Sequence, residues 1–217
     1  MNIRHHFDDA TLMAYAAGTL PEGMALLVAC HLHWCPECSH RVKQAEAVGG
    51  ALLHRIEPKP MPANALNDLM SRLDDDMAAE VSSLMQPAIL PKDVPAPLHH
   101  YLKGSLDDLP WKRLGYGVHH IDLNLGGKGT TRLLKIAPGV SVPHHTHSGN
   151  ELTLILRGSY TDEVGRFSAG DVADLDGEIH HQPIVDTDQD CICLIATDSP
   201  LKFTGFMGRL VQPFIGM

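Results

Sequence analysis

Apolar residues recur at helical spacing through roughly the first 85 positions, and at strand spacing after Tyr101. Asp8 or Asp9 can cap a short helix carrying Ala10, Leu12, Met13, Tyr15 and Ala16, which Gly18 stops. Pro21 suits the first turn of a second helix, Glu22 to about Trp34, with Met24, Leu27, Val28 and His31 on one stripe. A third helix is predicted from Pro36 to Ile56, ahead of Pro58. A fourth is predicted from Asn64 to about Met85, with Leu66, Leu69, Met70 and Leu73 aligned.

Pro87, Pro91, Pro95 and Pro97 then suppress helix and predict a semi-extended tether over 86–100. Beyond it, β-branched runs alternate with turn residues. Strands are predicted at Thr131 to Ile136, Leu152 to Leu156, Val172 to Leu175, Pro183 to Val185 and Cys191 to Thr197. Short strands at this spacing predict a sandwich or barrel. The pattern therefore predicts two domains, helical over 1–85 and β-rich over 101–217.

Charge narrows the partners. The formal net charge is −9 with histidine neutral, which disfavours direct binding to nucleic acid phosphates. No apolar run reaches the length of a membrane span, and the first residues lack an export pattern, so a cytoplasmic location is expected. Apolar residues make up 44% of the chain, ordinary for a globular protein. Fifteen histidines is the unusual count, and they cluster: His5-His6, His31/His33, His99-His100, His119-His120, His144-His145/His147 and His180-His181.

Three of the five cysteines, Cys30, Cys35 and Cys38, fall within one short stretch. In a chain expected in the cytoplasm, such grouping points to metal rather than disulfides. His31 and Cys35 are four apart and share a helix face, and Cys38 follows across a turn begun by Pro36. Two thiolates and one imidazole make most of a tetrahedral zinc shell. The fourth ligand is expected to be His6, with His5 as the alternative and His33 on a different helix face. Cys30 is expected in the core.

The second cluster reads Gly139, five residues, His145-Thr146-His147, three residues, Glu151, six residues, Gly158. His145 and His147 alternate along an extended segment, and Glu151 opens the next strand. Two imidazoles and a carboxylate suit Zn, Fe, Mn, Ni or Cu. Every fixed position matches the first motif of the cupin barrels. A second motif opens at Gly170 and sets its histidine at His181, with His180 as the register-shifted alternative. Asp176, Glu178 and Val185 depart from that motif. His119 and His120 are expected to be core histidines. Cys191 and Cys193 are expected to share a strand face, as small apolar residues or as groups open to oxidation.

The HxxxCxxC helix resembles the zinc-binding anti-sigma domain, whose ligands would fall on His6, His31, Cys35 and Cys38. A helical zinc module, a proline-containing linker and a cupin together resemble the ChrR family over the whole chain. The resemblance implies an α + β fold of about four helices and a cupin barrel or jelly roll, with two zinc ions. The barrel zinc would be held by His145, His147, Glu151 and His181. It implies a transcription regulator without catalytic activity, whose N-terminal module alone sequesters an extracytoplasmic-function sigma factor, one to one. Release would follow oxidative stress of the singlet-oxygen type, sensed through the barrel. Apolar Leu12, Leu26, Leu27, Leu66, Leu69 and Met70 are expected to exceed what the helices bury among themselves, leaving a surface for sigma. Acidic Asp74-Asp75-Asp76 and Glu80 would suit a basic partner. A metal-dependent dioxygenase or isomerase with a zinc regulatory module is the rival class, and a zinc sensor the third.

Overall fold

Asp8 ends the N-terminal arm by accepting a hydrogen bond from Thr11 N at 2.6 Å, which caps helix α1, Asp9–Ala16. The computed structural model describes residues 2–73, 93–102, 104–126, 129–142, 145–147, 149–175, 182–186, 189–198 and 201–203. Helix α2 spans Glu22–Trp34, α3 Pro36–Leu53 and α4 Ala65–Leu73. The predicted continuation of α4 to Met85, with Asp74-Asp75-Asp76 and Glu80, lies outside the described residues.

Eleven strands follow among the described residues: β1 Lys112–Gly115, β2 Val118–Asp122, β3 Thr130–Ile136, β4 His145–His147, β5 Glu151–Arg157, β6 Ser159–Thr161, β7 Arg166–Ser168, β8 Val172–Leu175, β9 Ile184–Val185, β10 Cys191–Thr197 and β11 Leu201–Phe203. They pair antiparallel as a six-stranded sheet in the order β1-β2-β3-β10-β5-β8, a three-stranded sheet β7-β6-β9, and the pair β11-β4. The predicted runs became β3, β5, β8, β9 and β10. The extended segment expected at His145–His147 is β4, whereas β1, β2, β6, β7 and β11, three to five residues long, carried too little alternation to stand out.

The central strands are buried on both faces, which is why β5 and β10 read as nearly continuous apolar runs. Inward, Ile155, Cys191 and Cys193 join Leu134, Ile136, Tyr160, Phe167, Ala173 and Val185. Outward, Leu152, Leu154, Leu156, Ile192, Leu194 and Ala196 join Met24, Leu26, Leu27 and Val28 of α2. Helices and sheet thus share one core. This corrects part of the expected apolar surplus: Leu12, Leu26 and Leu27 are buried, because that shared core covers them. Leu66, Leu69 and Met70 remain exposed.

The stretch expected as a tether differs as well. Residues 86–92 lie outside the described residues, but Ala96–His100 form a 3-10 turn, with Leu98 and Val94 buried in the shared core. Proline starts this turn rather than preventing it, since a 3-10 turn tolerates proline at its first positions. Arg157 of β5 fastens it by bonding both Asp93 and Asp107.

The approach of α2 to the sheet depends on one small residue. A Cβ added at Gly23 would sit 1.8 Å from Thr131 Oγ1 and 3.1 Å from Thr131 Cβ. Overpacking of this kind costs about 1–3 kcal/mol, of which replacing a helical glycine returns up to about 1 kcal/mol. Gly23→Ala is therefore expected to lower the urea midpoint, and Gly23→Ala/Thr131→Ala to recover most of the loss. An additive pair of effects would place the strain elsewhere.

Candidate metal centres

Helix α2 ends for a local reason. Pro36 bars the helical conformation at the residue before it, and Cys35 is extended, with φ −108° and ψ 101°. Pro36 then opens α3, where a missing N–H is no loss. His31 and Cys35 are left at the end of α2, and Cys38 on the first turn of α3. Cys38 N donates to Cys35 Sγ at 3.4 Å, so the positive end of α3 is aimed at that sulfur.

His6 arrives from the extended arm. Its Nδ1 lies 3.3 Å from Cys35 Sγ and 3.6 Å from Cys38 Sγ. One donor atom from each of His6, His31, Cys35 and Cys38 lies within 4.8 Å of the others. Tetrahedral zinc bonds of ~2.0–2.3 Å separate ligand atoms by about 3.3–3.8 Å, so the cluster needs only a slight contraction around an ion. Two nitrogens and two sulfurs are a donor set that zinc favours.

The imidazoles are oriented as ligands are. His31 Nδ1 donates to the Gly170 carbonyl at 3.0 Å. A carbonyl only accepts, so the proton is on Nδ1 and the lone pair on Nε2. That Nε2 is buried with no hydrogen-bond partner, an orphaned acceptor that a cation would satisfy. Burial lowers the His31 pKa to about 4, which keeps the ring neutral and able to ligate. His6 uses its atoms the other way round: Nδ1 faces the sulfurs, and Nε2 lies 3.4 Å from the Glu37 carboxylate. Such outer partners fix ring orientation at metal sites.

The other N-terminal candidates go elsewhere. His5 turns to the barrel, its Nε2 3.1 Å from the Arg166 carbonyl and its ring 4.3 Å from Phe167. His33 is exposed, and Cys30 is buried in the shared core. Glu37 and Gly170 were not picked out as partners of the cluster. Their roles arise from packing between segments far apart in sequence, which no local spacing encodes.

In the barrel, His145–His147 form β4, with His145 paired to Phe203 and His147 to Leu201. Glu151 opens β5 opposite Thr197 and Leu175. Its side chain is buried and follows the inward alternation of Thr153 and Ile155. Gly139 and Gly158, the motif glycines, have φ of +70° and +77°, turns that glycine makes without strain. His180 and His181 lie outside the described residues. His119 and His120 are half-buried on β2 rather than in the core, with His120 Nε2 3.5 Å from Asp122.

A family model, the ChrR cupin-like domain, matches residues 102–200. Over 217 residues the chain is 44% identical to the anti-sigma-E factor ChrR of Cereibacter sphaeroides, and the match covers 99% of each. The chain belongs to the ChrR family. The likeness holds in three dimensions: the crystal structure of Rhodobacter sphaeroides SigE in complex with the anti-sigma ChrR aligns with a TM-score of 0.80 at 43% identity. That alignment covers 91% of this chain and 100% of that one. The α + β reading, helices followed by a cupin-like barrel, is thereby established, and the chain stands among regulators rather than enzymes. The dioxygenase or isomerase alternative is set aside on that ground.

Cys191 and Cys193 share the inward face of β10, as alternation predicts, and both are buried. Burial pushes the Cys191 thiol up to about 12 and Cys193 well above its ordinary value. Burial likewise pushes Cys30 up to about 12. Nucleophilic reactivity belongs to the thiolate, so burial disfavours the reactive form of all three in the folded chain. Ellman's reagent at pH 8 is expected to leave Cys30, Cys191 and Cys193 unmodified until denaturant is added. Rapid modification of any one in the native state would contradict the packing described.

Proposed function

We propose that this chain is a zinc-dependent anti-sigma factor that sequesters an extracytoplasmic-function sigma factor one to one, in the cytoplasm, and so regulates transcription. The observation that carries this reading is the full-length similarity to ChrR, joined to the likeness to ChrR in its complex with SigE. Among the described residues no helix is long and apolar enough to cross a membrane. The division of work between a helical module over 1–85 and a barrel over 101–217 remains our reading, with the packed end of the 86–100 stretch joining them in one core.

The helices support a docking role. On α4, Leu66, Leu69, Met70 and Leu73 follow the i, i+3, i+4, i+7 pattern of one face, yet all are more than half exposed. Leu52 and Leu53 at the end of α3, and Ile56 just after it, are exposed as well. An amphipathic helix whose apolar face is left uncovered by the described residues is suited to lying in a groove between helices of another protein. Leu66→Glu/Leu69→Glu is expected to weaken the 1:1 sigma complex at least tenfold, as loss of interface anchors does, with metal content unchanged. Light scattering and titration against candidate sigma factors provide the readout. Unchanged affinity in the double variant would move the docking surface elsewhere.

We assign zinc to His6, His31, Cys35 and Cys38, and a second zinc to His145, His147, Glu151 and His181. The first carries structural weight, because it joins the arm, α2 and α3. The second is our candidate sensor for oxidative stress of the singlet-oxygen type. Attack on its imidazoles would loosen the barrel, and oxidation of the methionines and thiols exposed by that loosening would disturb packing further. His145→Ala is expected to hold one zinc fewer and to retain sigma when a photosensitiser generates singlet oxygen. Release at the normal rate from that variant would remove the barrel from the sensing step.

A further inference from the structure

Two consecutive barrel residues hold both histidines of the N-terminal cluster. Gly170 has φ +96°, a conformation that directs its carbonyl to His31 Nδ1. Asp171 is buried, 1% exposed, and both of its carboxylate oxygens are committed to backbone donors. Oδ1 accepts from Arg4 N at 2.6 Å and His5 N at 3.0 Å, and Oδ2 from Ser168 N at 2.9 Å. Val172 N donates to the His5 carbonyl at 3.4 Å. The peptide groups on either side of His5 are thus tied to the barrel immediately before His6 turns towards the thiols.

The same turn is bonded into the strand that begins with Glu151. Gly170 N donates to the Ile155 carbonyl at 2.8 Å, and Ile155 N to the Asp171 carbonyl at 3.1 Å. A continuous backbone path therefore runs from Glu151 along β5, through Ile155, into Gly170 and Asp171, and on to His31 and the arm of His6. A buried carboxylate accepting three N–H bonds is costly to disturb, so this joint transmits displacement rather than absorbing it.

We infer that Gly170 and Asp171 are positioning residues for the N-terminal metal cluster, supplied by the barrel, so that the cluster's hold on its metal depends on the state of the barrel. The inference rests on the zinc reading of that cluster. Metal retention and arm docking strengthen each other by the same factor, as linkage requires. A barrel that shifts the 168–171 turn withdraws the carbonyl that orients His31 and the carboxylate that holds the His6 arm.

The test uses the full chain loaded with cobalt(II), whose thiolate charge-transfer band reports the sulfur-containing cluster separately from the sulfur-free barrel motif. Loss of that band to excess EDTA gives the release rate. Asp171→Ala is expected to release cobalt roughly 10–100-fold faster than wild type, the usual effect of losing an outer partner. Arg4→Pro removes one N–H donor at an exposed position without touching the barrel, and is expected to act in the same direction. Val185→Ala, a cavity in the barrel core at a residue whose backbone bonds run to Gly139 and Val140 rather than to the turn, is expected to lower thermal stability while leaving the release rate unchanged. Should Asp171→Ala fail to fold, Arg4→Pro against Val185→Ala decides the matter. Release from Arg4→Pro, or from folded Asp171→Ala, no faster than from Val185→Ala overturns the inference. Cys38→Ser separates the two levels: if it retains the charge-transfer band unchanged, the metal reading of the cluster fails first.

Discussion

The six-stranded sheet must be covered on both faces, and everything else in the chain is arranged around that requirement. Its inner face is closed by the barrel through Ile155, Cys191 and Cys193. Its outer face is apolar as well, through Leu152, Leu154, Leu156, Ile192 and Leu194, and α2 is the element that hides it. Each buried leucine or valine of α2 contributes about 1.5–3 kcal/mol. Leu27, four residues on from Gly23 and so on the same helix face, helps anchor the helix in the core it shares with the sheet. Close approach at Gly23 and the ties from Arg4, His5 and His31 to the 168–171 turn follow from that placement. A helix face used to cover a sheet is unavailable to another protein, so the docking we propose is left to the exposed apolar residues at the end of α3 and on α4.

Much of this was legible in the chain because it is local. The limits of α2 follow from Pro21 and Pro36, and its clasp residues from the four-residue spacing of His31 and Cys35. The strand runs β3, β5, β8 and β10 follow from their apolar density, and the first barrel motif from its spacing. What escaped was the meeting of distant segments. Hydrophobic periodicity marks Leu26 and Leu27 as needing cover, but not whether a sheet or another protein supplies it. His5 and His6 are adjacent in sequence, and only the docking of the arm on Asp171 turns one to Phe167 and the other to the sulfurs. Pro95 and Pro97 suppress an α-helix as expected, yet the stretch they occupy still lays Leu98 into the core, because a 3-10 turn accommodates them. Of the expected apolar surplus, Leu66, Leu69 and Met70 remain exposed and Leu12, Leu26 and Leu27 do not, a division set by tertiary packing.

The cysteines separate into two environments with opposite chemistry. Cys35 and Cys38 converge with imidazole nitrogens at the start of α3, where a divalent ion would take them as thiolates. Cys191 and Cys193 stand among hydrocarbon, where burial keeps their protons on. An oxidant that needs a thiolate, as peroxides do, finds no ready target in the barrel interior. An oxidant able to enter such an interior must be small and uncharged, and must attack neutral groups such as imidazole rings. Singlet oxygen attacks neutral imidazole without needing a thiolate, which is why we propose it, rather than peroxide, as the class of oxidant that the barrel would sense. The placement of Glu151 and Ile155 on one strand would then matter to the sensing we propose, since damage at the barrel motif would begin a few residues from the turn bonded to His31 and to the arm of His6.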